Sequence, residues 1–385
     1  MSKELDAALA WLASRRPSME QLLAEVVRQN SFTANRDGVN AVASVFEAEL
    51  ARLGLAVERV QSERFGDHLY FESSAGDAPV FLIGHTDTVF PPGAYPDADT
   101  WRVDGDIARG PGCLDMKGGL VIALFGLAAL REAGLLSRVA VRGMFVGDEE
   151  VGSPESQPLL RERARGAACG LGFESGRAKD LIVTGRKGTA SLVALATGVA
   201  AHAGVEPEKG RSAIWALARF VDRAQQLSAP ARGVSVTVGT FSGGTTKNTV
   251  PDRARCEVDL RYLTPEDGEA LFRDLERIAE DVAFEGTRIA LERSSHRPPL
   301  VRTDASAALA AEYGACQREA GLGDGEASLT GGGSDAATTA AVGVPSVDGL
   351  GARGIGFHTP NEQIELSSLV PKAEALVRFL ARRAR

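Results

Sequence analysis

The chain has 385 residues, enough for two or three domains around a large core. Its balance of apolar and charged residues, with 43 glycines, fits a soluble α/β protein. A formal net charge of -8, with basic residues clustered only at Arg378 and Arg382-Arg383-Ala384-Arg385, argues against a nucleic-acid or anionic-membrane partner.

Cys113, Cys169, Cys256 and Cys316 lie far apart with no C-x-x-C pair, the pattern of reduced thiols in a cytosolic protein. No segment reads as a membrane span. The start, Met1-Ser2-Lys3-Glu4-Leu5-Asp6, has no apolar signal region, so the expected location is cytoplasmic.

In chain order, apolar residues recur at three and four over about 3–53, predicting helices that end at Gly54. Strands are expected near 55–61, 68–73 and 79–84. A turn-rich stretch, Gly110-Pro111-Gly112-Cys113-Leu114-Asp115-Met116-Lys117-Gly118-Gly119, then feeds an apolar helix over 117–132. A strand at 139–146, a helix at 155–165 and strands at 168–173 and 180–184 follow. Strands alternating with helices predict a largely parallel sheet covered on both faces. Between 186 and 297 the order becomes strand, helix, strand, strand, helix, strand (189–199, 211–227, 234–242, 253–263, 266–282, 287–293), the ferredoxin-like motif. Helices at 304–320, 334–342 and 367–384 and a strand at 345–349 complete the first domain. The expected division is therefore 1–185 with 298–385, and an inserted 186–297.

The organising stretch is Gly84-His85-Thr86-Asp87-Thr88, after the apolar run Ala78-Pro79-Val80-Phe81-Leu82-Ile83. The two-residue period of a strand puts His85 and Asp87 on one side. Alone, that pair reads as a metal ligand with its carboxylate partner or as a single His–Asp hydrogen bond. Asp115, Glu149 with Glu150, Glu174 and His358 also fall at the C-terminal ends of predicted strands or in the loops after them, where open α/β sheets place ligands. Singly each has a plain structural reading, such as a helix cap for Asp115 or a solvated turn for the acidic pair. Together, carboxylates converging on one sheet edge would repel one another unless a cation were present. Two histidines and three carboxylates suit a pair of zinc-like ions with one carboxylate bridging, and a further carboxylate can act as the base.

Gly-His-Thr-Asp-Thr-Val at 84, the Gly110–Gly119 segment, Asp-Glu-Glu-Val-Gly-Ser at 148, Phe-Glu-Ser at 173, Ala-His-Ala-Gly at 201 and Thr-Gly-Gly-Gly-Ser-Asp-Ala at 330 resemble the M20 metallopeptidases, and within them the glutamate carboxypeptidase group. The resemblance spans nearly the whole chain. It implies a zinc-exopeptidase-like catalytic domain with a mixed, largely parallel sheet, plus an inserted α+β ferredoxin-like dimerisation domain. It implies two Zn2+ per subunit, with Co2+ or Mn2+ as substitutes. His85, Asp115, Glu150, Glu174 and His358 would be the ligands, with Asp115 bridging. Asp87 would orient His85, and Glu149 would be the general base. A cis peptide is implied after Asp115. His202 would reach the partner subunit's site in a homodimer and stabilise the oxyanion. Asn248, Arg261 and the backbone of Gly332, Gly333 and Ser334 would hold the substrate carboxylate.

One departure concerns specificity. Glutamate-specific members carry a lysine and a hydroxyl residue on the strand before Gly185, where this chain has Leu181 and Val183, with Arg186-Lys187 the nearest basic pair. The expected activity is hydrolysis of an amide beside an amino acid with a free α-carboxylate, in a small peptide or an N-acyl amino acid. A carboxypeptidase leads, with an N-acyl-amino-acid deacylase as the alternative and a catalytically silent binding protein as the remote one.

Overall fold

The structure, a computed structural model, describes residues 2–74, 76–95 and 100–384. The chain forms two compact units, Met1–Gly185 with Arg302–Thr330 and Ser334–Arg385, and Arg186–Val301 with Gly331–Gly333.

The first unit is built on a six-stranded sheet in the order Ala56–Val60, His68–Glu72, Val141–Val146, Val80–His85, Cys169–Gly172, Ser346–Val347. The first two pairings are antiparallel and the other three parallel. The mixed, largely parallel sheet expected from the alternation is present. Val80–His85 is buried along its whole length, as befits a strand covered on both faces whose sequence is a continuous apolar run.

Helix Gly118–Glu132 packs against the last helix, Leu369–Ala381, and the first, Ser2–Ala13. It corrects one expectation: Cys113–Glu132, with mean hydropathy 1.8, is long and apolar enough to cross a membrane. That stretch is 89% buried inside the protein, because a helix packed on several sides needs apolar residues all round, as a lipid-facing helix does. Two glycines let it sit close. A Cβ at Gly126 would stand 2.8 Å from Leu376 Cδ2, and one at Gly119 would stand 1.9 Å from the carbonyl oxygen of Phe173.

Three further differences have physical causes. The expected 180–184 strand is replaced by single bridges, Ile182 to Glu326 and Val183 to Asp348. Lys179 and Asp180 are left-handed (φ 58° and 56°), so the chain comes straight out of a turn. The 345–349 strand joins the six-stranded sheet only over Ser346–Val347, since Asp348 turns to Val183 and Gly349 has φ 76°. Unexpected is a four-stranded antiparallel sheet of Gly354–Ile355, Gln363–Glu365, Ile107–Arg109 and Arg102–Asp104. Strands of two and three residues are too short to show periodicity.

The second unit has a four-stranded antiparallel sheet in the order Ser235–Gly243, Arg253–Tyr262, Gly188–Thr197, Arg288–Arg297. Ala190, Leu192, Ala194 and Ala196 alternate inward onto helices Ala213–Gln225 and Pro265–Val282, which Ser212 and Thr264 cap. The strand and helix order is that of a ferredoxin-like unit. Its last strand runs to Arg297, and Leu300 bridges back to Arg186, so the unit extends to Val301 rather than 297.

Candidate metal centre

In the first unit, several loops bring their side chains to the carboxyl end of the sheet. His85 closes the central strand Val80–His85. Glu149 and Glu150 open a short turn after Val141–Val146, and Glu174 follows Cys169–Gly172. Asp115 lies in the Cys113–Lys117 loop, where the Asp115–Met116 peptide is cis. His358 lies beyond Gly354–Ile355 with φ 60°.

Asp115 stands between the two histidines. Its Oδ1 is 3.2 Å from His85 Nε2, and its Oδ2 is 3.3 Å from His358 Nε2. Glu174 Oε1 is 3.7 Å from His85 Nε2, and Glu150 Oε2 is 3.2 Å from His358 Nε2. Donor atoms of His85, Glu149 and Glu174 lie within 4.8 Å of one another, as do those of His85, Asp115 and Glu150.

Asp87 is spent on orientation. Its Oδ2 accepts from Thr33 Oγ1 (2.7 Å) and from the Glu150 N–H (3.1 Å), and its Oδ1 accepts from the Glu149 N–H (3.2 Å). Asp87 also meets the far side of the His85 ring: Nδ1 is 3.0 Å from its carbonyl oxygen and 3.3 Å from its Oδ1. One buried carboxylate thus fixes both the imidazole and the Glu149-Glu150 turn.

The electrostatics ask for a cation. Burial pushes the Glu150 carboxyl up to about 8, against the His358 hydrogen bond, and Asp115 adds to the rise. Burial and the Asp115 charge hold Glu174 well above the usual carboxylate range. Burial opposes protonation of His85, but its bonds to Asp115 and Asp87 raise it well above the usual imidazole value. Asp115 and Glu150 raise His358 to about 10. Glu150 Oε1 is buried without a hydrogen-bond partner. Imidazole nitrogens and carboxylate oxygens converging at one sheet edge, with one buried oxygen orphaned, are a donor set that fits a divalent cation of the zinc type.

Comparison with known proteins decides the family. The profile of Peptidase family M20/M25/M40 matches residues 81–382. The chain belongs to peptidase family M20. It is 31% identical over 360 residues to carboxypeptidase G2 of Pseudomonas sp., covering 92% of this chain and 86% of that protein. It is 31% identical over 324 residues to the succinyl-diaminopimelate desuccinylase of Cereibacter sphaeroides strain KD131, covering 77% and 81%. Among solved structures, the aminopeptidase PepT of Bacillus cereus shares the fold at TM-score 0.77 and 24% identity, covering 96% of this chain and 99% of that one. The protein is thus a hydrolase of the M20 metallopeptidase type.

The other candidate residues of this M20 enzyme are placed as follows. In the second unit, exposed His202 accepts the Gly204 N–H on Nδ1 (3.1 Å), which leaves Nε2 to carry the ring hydrogen. Asn248 is exposed, and its carbonyl accepts from the Ala203 N–H (2.9 Å). Arg261 makes a two-pronged pair with Asp259, Nε to Oδ1 and Nη2 to Oδ2 both at 2.8 Å, and donates from Nη1 to the Gly331 carbonyl (3.3 Å). Arg186 donates from Nη1 to the carbonyls of Gly332 (3.4 Å) and Gly333 (3.3 Å). In the first unit Ser334 is buried, and its hydroxyl donates to Asp348 Oδ2 (2.6 Å). Val183 is buried and its backbone pairs with Asp348, while Leu181 is half-buried.

Two buried residues beside the site escaped the sequence reading. Thr33 comes from a loop 54 residues before Asp87, and no local pattern marks it. Glu362, four residues past His358, accepts from three backbone N–H groups of the Asp115 loop. Its only sequence signal is an acidic residue close behind a proposed ligand.

Proposed function

We propose that this M20 enzyme is a two-metal hydrolase that cleaves an amide beside an amino acid with a free α-carboxylate, as a carboxypeptidase-type exopeptidase. One observation carries the reading: the two oxygens of Asp115 are divided between His85 and His358, as a bridging ligand requires. His85, Asp115 and Glu174 would hold one Zn2+, and Asp115, Glu150 and His358 the other, with Co2+ or Mn2+ able to substitute. When bound, the ions supply Lewis acidity toward the scissile carbonyl and acidify the attacking water.

The chain's own groups supply the rest. Glu149 takes the proton as the water oxygen bonds to the carbonyl carbon, and delivers it to the amine as the C–N bond breaks. Asp87 holds the Glu149 backbone, and so the base, against the imidazole it serves. Asn248, Arg261 and the Gly332, Gly333 and Ser334 backbone would hold the substrate carboxylate. Arg261 already grips Asp259 in the two-pronged geometry that a carboxylate demands, so substrate would share or replace that partner. The second unit would join two copies into a homodimer in the cytoplasm, with the Nε2 hydrogen of His202 serving the partner's oxyanion.

A second reading, N-acyl-amino-acid deacylase, is favoured by the 31% identity to a succinyl-diaminopimelate desuccinylase. The two readings share the scissile bond and differ in the acyl group. Mass spectrometry of a panel of dipeptides and N-acyl amino acids, incubated with metal-stripped and zinc-reconstituted protein, separates them. Release of C-terminal residues from peptides by the zinc form alone is expected. Turnover confined to acetyl or succinyl amino acids would move the assignment to a deacylase, and equal turnover by the stripped protein would remove the metal reading.

A further inference from the structure

Glu362 is fully buried, yet its carboxylate lies against backbone rather than in the cluster of candidate ligands. Oε1 accepts from the N–H groups of Leu114 (2.7 Å) and Asp115 (2.9 Å), and Oε2 from that of Gly112 (3.2 Å). The backbone of the same residue ties the other side. Its N–H donates to the Thr359 carbonyl (3.1 Å), and its carbonyl accepts from the Gly110 N–H (3.4 Å). Glu362 therefore joins the loop that carries Asp115 to the loop that carries His358. Those two side chains meet at 3.3 Å.

The chemistry of the clamp is specific. Three N–H donors need acceptors on both oxygens, which a carboxylate offers and an amide does not. Lys117, from the same loop, is buried too, and its Nζ donates to the carbonyls of Val26 (2.8 Å) and Gln29 (3.0 Å), so the loop is tied down on a second side. A buried side chain that takes three backbone N–H groups on its two oxygens satisfies donors that would otherwise be orphaned, and so pins that loop. A residue that only filled space here would need none of these partners.

Building on the two-metal reading, we propose that Glu362 is a positioning residue for the metal centre: it fixes Asp115 against His358 before any ion arrives. It is not a ligand and does not touch substrate. Its contribution is to prepare the bridging carboxylate and the exposed histidine, whose side chain is 47% accessible, in one geometry.

Two measurements on the full chain test this. Wild type and E362Q are stripped of metal and titrated with Co2+, followed by visible absorbance and calorimetry. The wild type should bind two ions. E362Q, shown to be folded by circular dichroism, should bind them about 10–100-fold more weakly. A purely structural role would lower the melting temperature of metal-free E362Q and leave its affinities unchanged. Equal affinities in the folded variant therefore overturn the proposal. A wild type that binds no Co2+ overturns the metal reading instead.

The second measurement needs no variant, and decides the matter if E362Q does not fold. Hydrogen exchange over residues 112–117 of metal-free wild type should show the amides of Gly112, Leu114 and Asp115 already protected. Exchange at the rate of an open loop, with protection only after metal is added, would mean that the ions and not Glu362 order this loop.

Discussion

At the scale of single residues, the carboxylates near the site differ in what surrounds them. Asp87 has three donors on its two oxygens and a ring nitrogen beside it, so it orients. Asp115 gives each oxygen to a different histidine, so it can bridge. Glu150 keeps a buried oxygen without a partner, which suits a ligand. Glu149 is held through its backbone by Asp87, with its carboxylate beside His85 and Glu174, a placement that suits a base. Glu149→Gln should therefore lower kcat by about 100–10,000-fold, the range for loss of a general base, while metal content by atomic absorption stays at the wild-type level. A drop in metal content instead would make Glu149 a ligand. Residue type alone carried none of these distinctions, which the sequence offered only through its resemblance to the M20 motifs. Asp87, Asp115, Glu149 and Glu150 were legible as candidates because they sit just past strands. The hydrogen bonds that divide the roles join residues 54 to 63 positions apart.

At the scale of elements, the site depends on how closely helix Gly118–Glu132 approaches the strand ends. Gly119 faces the carbonyl of Phe173, the residue before Glu174, with no room for a methyl group. Backbone cannot move aside as a flexible side chain can, so Gly119→Ala must push the helix away from the Glu174 loop. The expected cost is about 1–3 kcal/mol of stability, read as a lower midpoint in urea, with weaker metal binding because Glu174 shifts. A variant with wild-type midpoint and wild-type metal affinity would show that the loop yields at no cost. The helix itself was plain in the sequence from its apolar run. The close approach was not, because the glycine pair Gly118-Gly119 reads equally as a turn. The small sheet built from Arg102–Asp104, Ile107–Arg109, Gly354–Ile355 and Gln363–Glu365 was silent for a different reason. Its central pairing, Gln363–Glu365 with Ile107–Arg109, joins segments some 250 residues apart, and none of its strands carries enough residues to show alternation.

At the scale of the whole molecule, the chain holds two cores, one around the six-stranded sheet and one under the antiparallel sheet of the second unit. A second unit with its own core and an exposed His202 suits a chain that works as a pair of copies. Light scattering at micromolar concentration should give twice the 40.5 kDa of one chain. In a mixed dimer, a His202→Ala copy should complement a Glu149→Gln copy and restore part of the activity. A fully active monomer would leave His202 without the role proposed for it.

The sequence by itself determined the largely parallel sheet and the candidates for metal ligands. Each rests on local signals: apolar runs, strand-and-helix alternation, and polar residues just past strand ends. Only the tertiary structure decided that the 180–184 segment is a bridged extended stretch, that the membrane-like apolar helix is a core helix, and that Glu362 ties the two loops of the metal centre together. These are matters of which distant segment supplies the partner for a backbone group or a buried face, and a chain read locally does not contain that partner.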